Sequence, residues 1–121
     1  MTDESAPVLR VAVDDGFCPM SFYDADGNLS GLNVELITMV ANQLGMRLEF
    51  ECGDWMTCRQ NLEEGKADAI LGLETFSNMQ HVLKTVPVTT DQLNIYGKNK
   101  IESIGALANK KVAVMARSVI M

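Results

Sequence analysis

The sequence predicts an α/β fold, a three-layer sandwich built around a mainly parallel sheet. Three observations carry this. Short apolar, strand-like runs at Leu9–Val13, Arg47–Glu51 and Asp68–Leu73 alternate with two helical patterns. The links between them are short, which favours parallel strands with crossover helices. The last of the three runs is continuously apolar after its first residue, as in a strand buried on both faces.

Taken in order, Leu9-Arg10-Val11-Ala12-Val13 is long enough for a strand and too short for a helix. Asp14 to Met20 reads as an open loop bearing carboxylates, an aromatic ring and a proline at that strand's carboxyl end. In open α/β sheets this edge is where ligands bind. Asp24-Ala25-Asp26-Gly27-Asn28 supplies turn chemistry. A helix is expected next, with Asn33 as its N-cap, Leu36, Ile37, Val40, Ala41 and Leu44 at helical spacing, and Gly45 as its stop.

Arg47-Leu48-Glu49-Phe50-Glu51 alternates apolar and charged residues, as a half-exposed strand does. Asp54 is placed to cap a second helix from Trp55 through Glu64, with Trp55, Cys58 and Leu62 on one face and Gly65 closing it. Beyond Glu74 the pattern loosens. Pro87 keeps Val86–Thr90 out of any central strand. A strand is expected near Gln92–Tyr96, a helical turn from Ser103 through Leu107, and a last strand over Lys111–Met115.

The 121 residues are one domain's worth, and 47% apolar with 21% charged is ordinary for a globular chain. A net charge of −6 with ten scattered basic residues argues against nucleic-acid binding. No apolar run reaches the ~18 residues a membrane span needs, and the acidic start Met1–Ser5 is no signal peptide. Cys18, Cys52 and Cys58 form no Cys-x-x-Cys pair, so they read as small buried or half-buried residues, with a Cys52–Cys58 bridge left open. The eight methionines read as core filler. His81 lacks a partner for metal or acid–base chemistry. No nucleophile elbow, phosphate loop or metalloprotease motif occurs, so neither a catalytic residue, a metal ligand nor a cofactor is expected.

Several stretches together resemble the type II periplasmic solute-binding family, in its polar amino-acid-binding group. They are Asp14-Asp15-Gly16-Phe17-Cys18-Pro19-Met20-Ser21-Phe22, Asp26-Gly27-Asn28-Leu29-Ser30-Gly31-Leu32-Asn33-Val34-Glu35-Leu36, Leu44-Gly45, Gly53-Asp54-Trp55, Gly65-Lys66-Ala67-Asp68-Ala69-Ile70 and Lys110-Lys111-Val112-Ala113-Val114. The resemblance implies the first lobe of a bilobal fold that closes on a small solute. Residues 1–8 would be a disordered tail, 9–97 the first lobe, and 98–121 the hinge crossing and first strand of an incomplete second lobe. The chain would then be one piece of a longer protein, exposing an unfilled strand slot that favours a homo-oligomer.

Carried across by position, the resemblance gives Asp14 the ligand's ammonium group, and gives Phe17 and Trp55 the rings that sandwich it. Gly72 and Leu73 would meet the ligand through backbone and Thr75 through its hydroxyl. Gln80 falls where the family has a carboxylate-gripping arginine, and glutamine cannot match that bidentate fork. Arg117 and Ser118, at a helix N-terminus, would take over the anion. The function implied is an extracytoplasmic binding domain for a small amino-acid-like solute, not an enzyme. Its use would be as the sensor module of a membrane-anchored signalling protein. The alternatives are the soluble receptor of an ABC importer and, with no residue-level support, a dehydratase-like enzyme on the same fold.

Overall fold

The computed structural model describes residues 4–74, 77, 79–92 and 94–114. The chain divides after Leu73 into two compact units.

In the first unit the central strand is β1, Val8–Asp14. It is followed by three short strands, β2 (Gly16–Phe17), β3 (Ser21–Tyr23) and β4 (Leu29–Ser30), then by helix α1 (Leu32–Gln43) and strand β5 (Arg47–Gly53). Helix α2 (Trp55–Glu63) and strand β6 (Ala69–Ile70) complete the unit. The sheet runs β5-β1-β6 with both pairings parallel, as expected. Val8 opposes Arg47 and Asp14 opposes Gly53, while Val11 and Ala12 oppose Ala69 and Ile70.

The two-residue period of a strand divides the core between the faces of the sheet. Val11 and Val13 are fully buried with Val34 of α1, and Leu9, Ile37, Leu48, Phe50, Cys52 and Leu71 pack against them. Ala12 is fully buried with Trp55 and Cys58 of α2 and Ala67, flanked by Ile70 and Leu73. One helix per face makes the three-layer sandwich.

Local chemistry sets the helix ends. Asp54 caps α2 by accepting from the Thr57 N–H at 2.8 Å, and this bond holds its carboxyl below the usual range. Gly45 and Gly65, at φ 65° and 75°, terminate the two helices. The 24–28 turn forms as read, with Asp24 Oδ1 accepting from the N–H groups of Asp26 and Asn28, each at 2.9 Å. Arg10 and Asp68 tie β6 to β1 through a paired contact at 2.9 and 3.2 Å. That pairing lowers the Asp68 pKa.

The structure corrects the sequence reading at several points. The cap of α1 is Gly31, not Asn33, which lies inside the first turn. At φ 119° and ψ 166° Gly31 occupies a region open essentially to glycine alone. A Cβ there would stand 2.4 Å from the Met20 carbonyl oxygen. The 14–20 segment is no simple loop: β2, β3 and β4 form a small antiparallel sheet. The run over 68–73 is strand only at Ala69–Ile70 and half-buried, because Gly72, at φ 77°, turns the chain away. Helix α2 ends at Glu63, one residue early.

A Cys52–Cys58 bridge is not formed; all three cysteines are free, and Cys52 and Cys58 belong to clusters on opposite faces of the sheet. In the second unit Ile104–Leu107 forms the expected turn, as a 3₁₀ helix after Ser103. Described residues of the expected strands at 92–96 and 111–115 are not in strands; Leu93 and Met115 lie outside the described residues. No helix among the described residues is long and apolar enough to cross a membrane.

Candidate functional site

Asp14 ends the central strand, so its carboxylate stands at the carboxyl edge of the sheet. Two bonds fix its position. Its Oδ1 accepts from the Gly16 N–H at 3.0 Å, and its carbonyl oxygen accepts from the buried Ser21 hydroxyl at 2.6 Å. The Asp15 N–H donates to the Gly53 carbonyl at 3.1 Å, binding this corner to the end of β5.

Phe17 follows on β2 with 42% of its surface exposed. A chain reversal, in which the Met20 N–H donates to the Phe17 carbonyl at 2.7 Å, projects it from the edge. Gly72, just beyond β6, faces it: Phe17 Cε1 lies 3.9 Å from where a Gly72 Cβ would stand, and Asn33 Nδ2 lies at 3.5 Å. The missing side chain leaves a niche between ring and amide. Phe17, Gly72 and Asn33 are therefore brought together, at the strand end where Asp14 sits.

Trp55, the first residue of α2, is placed differently. It is only 8% exposed and packs with Ala12, Cys58 and Ala67, with Leu73 beside that cluster. Trp55 and Leu73 thus share the α2 face of the sheet, whereas Asn33, beside Phe17 and Gly72, lies on α1. Cys58 is sealed there, its thiol donating to the Gly53 carbonyl at 3.8 Å. Burial, reinforced by the carboxylates of Asp14 and Asp15, pushes that thiol up to about 12. Gln80 is exposed in the second unit. Thr75, Arg117 and Ser118 lie outside the described residues.

Sequence reasoning missed two residues here. Ser21, 2% exposed, holds the Asp14 carbonyl, and a serine in a loop gives no sign of that. Asn33 was assigned to capping. The available signal was Gly31, two residues earlier, which takes the cap and leaves the amide without that duty. No group of three or more His, Cys, Asp or Glu side chains able to hold a metal occurs among the described residues.

Comparison with known proteins identifies the family and the fold. Residues 9–118 match the model of the bacterial extracellular solute-binding proteins, family 3. A Haemophilus influenzae protein named "Probable amino-acid ABC transporter-binding protein" is 33% identical over 67 residues, 55% of this chain and 26% of that protein. A Neisseria gonorrhoeae "Probable histidine-binding protein" is 30% identical over 71 residues, 59% of this chain and 26% of the relative. The chain thus spans about a quarter of the length of both curated relatives.

Among solved structures, the unliganded, open L-cystine solute receptor of Neisseria gonorrhoeae superposes with a TM-score of 0.56 at 26% identity. That match covers 60% of this chain and 31% of the receptor. An ancestral arginine-binding protein bound to arginine gives a TM-score of 0.51 at 33% identity, covering 53% and 28%. The family and these neighbours are solute-binding proteins, and they work on the periplasmic or extracellular side of the membrane. With nearly its whole length matched, the chain belongs to the bacterial extracellular solute-binding proteins, family 3.

Proposed function

We propose that this chain is an extracytoplasmic domain that binds a small amino-acid-like solute at the carboxyl edge of its parallel sheet. The observation that carries the reading is the convergence of the Phe17 ring, the Gly72 niche and the Asn33 amide at the strand end that bears the Asp14 carboxylate. A carboxylate suits an ammonium group, an aromatic edge suits an aliphatic or planar side chain, and open backbone beside a glycine lets a ligand approach closely. The names of the relatives, which speak of amino acids, histidine, L-cystine and arginine, support the same ligand class.

In this reading Asp14 receives the ammonium group, Phe17 supplies a ring, Gly72 and Leu73 contribute backbone, and Thr75 contributes its hydroxyl. Arg117 and Ser118 take the anionic end in place of the arginine that Gln80 supplants. No catalytic role and no cofactor are assigned. Substituting Asp14→Asn and titrating the purified protein with the common amino acids by calorimetry tests it. Binding that Asp14→Asn leaves unchanged would refute the ammonium role.

For the use of the domain we propose the sensor module of a membrane-anchored signalling protein. Its support is Gln80, since a carrier that captures simple amino acids gains most from the arginine fork. The importer-receptor reading has its own support in the name of the Haemophilus influenzae relative. Deleting the gene and measuring radiolabelled amino-acid uptake separates the two: unchanged uptake supports the sensor, and lost uptake supports the receptor.

A further inference from the structure

Asn33 is 5% exposed, yet its carboxamide makes no hydrogen bond to any described residue. Only its backbone N–H is engaged, donating to the Met20 carbonyl at 2.9 Å. An amide this deep is costly unless something satisfies it. Its neighbours along the same helix, Val34 and Ala41, are the buried apolar residues such a position ordinarily takes. The amide atoms are not sealed in, since they are not among the fully buried atoms lacking a partner. The amide opens beside Gly72, its Nδ2 being 3.5 Å from that residue's Cβ position with the Phe17 ring edge alongside.

The end of α1 does not explain the site as an anion cradle. Its first two N–H groups are already taken, Leu32 by the Pro19 carbonyl at 3.2 Å and Asn33 by that of Met20. Polar recognition at this point therefore falls to the side chain. A carboxamide offers two donors and one acceptor and carries no charge, so it can meet either end of a zwitterion.

We propose that Asn33 is a ligand-contacting, specificity-determining residue, whose carboxamide hydrogen-bonds the polar end of the solute between the Phe17 ring edge and Gly72. This rests on the solute-binding reading above and adds a contact that the resemblance did not supply. Because the amide is neutral, it leaves the choice between cationic and acidic ligands to Asp14 and the other charged groups. A carboxylate in its place would join that choice.

The test titrates the purified protein and its Asn33→Asp and Asn33→Leu variants with the common amino acids and cystine, with urea denaturation of each in parallel. Asn33→Asp is expected to shift the affinity ratio of arginine to glutamate about tenfold or more toward arginine, as a charge in contact with the ligand does. Asn33→Leu is expected to keep or raise the denaturation midpoint while weakening the better ligand about tenfold. An arginine-to-glutamate ratio unmoved by Asn33→Asp would overturn the assignment of Asn33 and leave the solute reading intact. If Asn33→Leu does not fold, that ratio alone decides. A wild-type protein that binds no member of the panel would overturn the solute reading itself, and the assignment with it.

Discussion

Replacing Gly31 with alanine isolates what joins the small antiparallel sheet to α1. The new Cβ would stand 2.4 Å from the Met20 carbonyl oxygen, 2.6 Å from its carbon and 2.9 Å from the Ser21 nitrogen. All three are backbone atoms, so no flexible side chain can yield. The backbone must also hold φ 119° with ψ 166°, a conformation costing a non-glycine residue about 1–3 kcal/mol. Relieving the clash by moving packed backbone adds about 1–3 kcal/mol. Gly31→Ala should therefore destabilise the fold by about 2–6 kcal/mol. Against a typical domain stability of about 5–15 kcal/mol that is a severe loss. Gly27→Ala is the control: Gly27 has φ 79° with nothing within 4 Å of its Cβ position, so only the local strain of about 1–2 kcal/mol applies. Urea denaturation followed by circular dichroism, with m-values compared, measures both variants. A Gly31→Ala midpoint equal to that of Gly27→Ala would refute the argument that this contact fixes the junction.

Other consequences follow from the same structure. With its thiol pushed up to about 12 by burial, Cys58 should stay unreactive toward Ellman's reagent at neutral pH until urea unfolds the chain. Exposed Cys18 should react at once, and prompt labelling of Cys58 in Cys18→Ser protein would contradict this. Asp54, Glu64 and Asp68 are held below the ordinary carboxylate range by the Thr57 N–H, by Gln60 with Lys66, and by Arg10. Lowered folded pKa values mean that their contribution is present above the ordinary carboxylate pKa of about 4 and is lost as pH falls through the folded values. The acid-side decline in urea midpoint should be shallower in Asp68→Asn, and a parallel decline would count against the Arg10 pairing. Gln80→Arg should strengthen binding of simple α-amino acids, which the wild-type protein should hold more weakly than micromolar; calorimetry showing sub-micromolar wild-type affinity would contradict this. Finally, β6 is an edge strand among the described residues, and Leu83, Val86, Tyr96 and Ile104 are exposed apolar residues. The 121-residue chain by itself is therefore expected to sediment as an oligomer at micromolar concentration, and a well-folded monomer would show otherwise.

What could be read from the sequence was what local chemistry decides. The apolar run through Val13, the aspartate and glycine at the two ends of α2, and Gly45 after α1 act within a few residues of themselves, and each stands where its chemistry placed it. The small antiparallel sheet was not legible, because strands of two or three residues are too short to show a period. The α1 cap failed for a tertiary reason. Asparagine outranks glycine as a cap in isolation, but the Met20 carbonyl lies where only glycine fits. The extent of β6 was overread, since a continuous apolar run does not reveal that Gly72 turns the backbone out of the sheet. Of the residues proposed for the site, Asp14, Phe17 and Gly72 came from the resemblance and from the rule about carboxyl edges. Trp55 could not be assigned from sequence between core and ligand, and its 8% exposure gives it core surroundings.

The central claim is that solute binds at the carboxyl edge of the β5-β1-β6 sheet, and amide chemical-shift mapping tests it most directly. The ¹⁵N-labelled protein would be titrated with whichever amino acid or cystine binds best. The account predicts that the largest shifts fall on Asp14 to Phe17, on Asn33 with its side-chain amide, and on Leu71 to Leu73. Saturable binding whose shifts instead cluster at the opposite end of the strands, around Val8, Arg47 and Asp68, would contradict it.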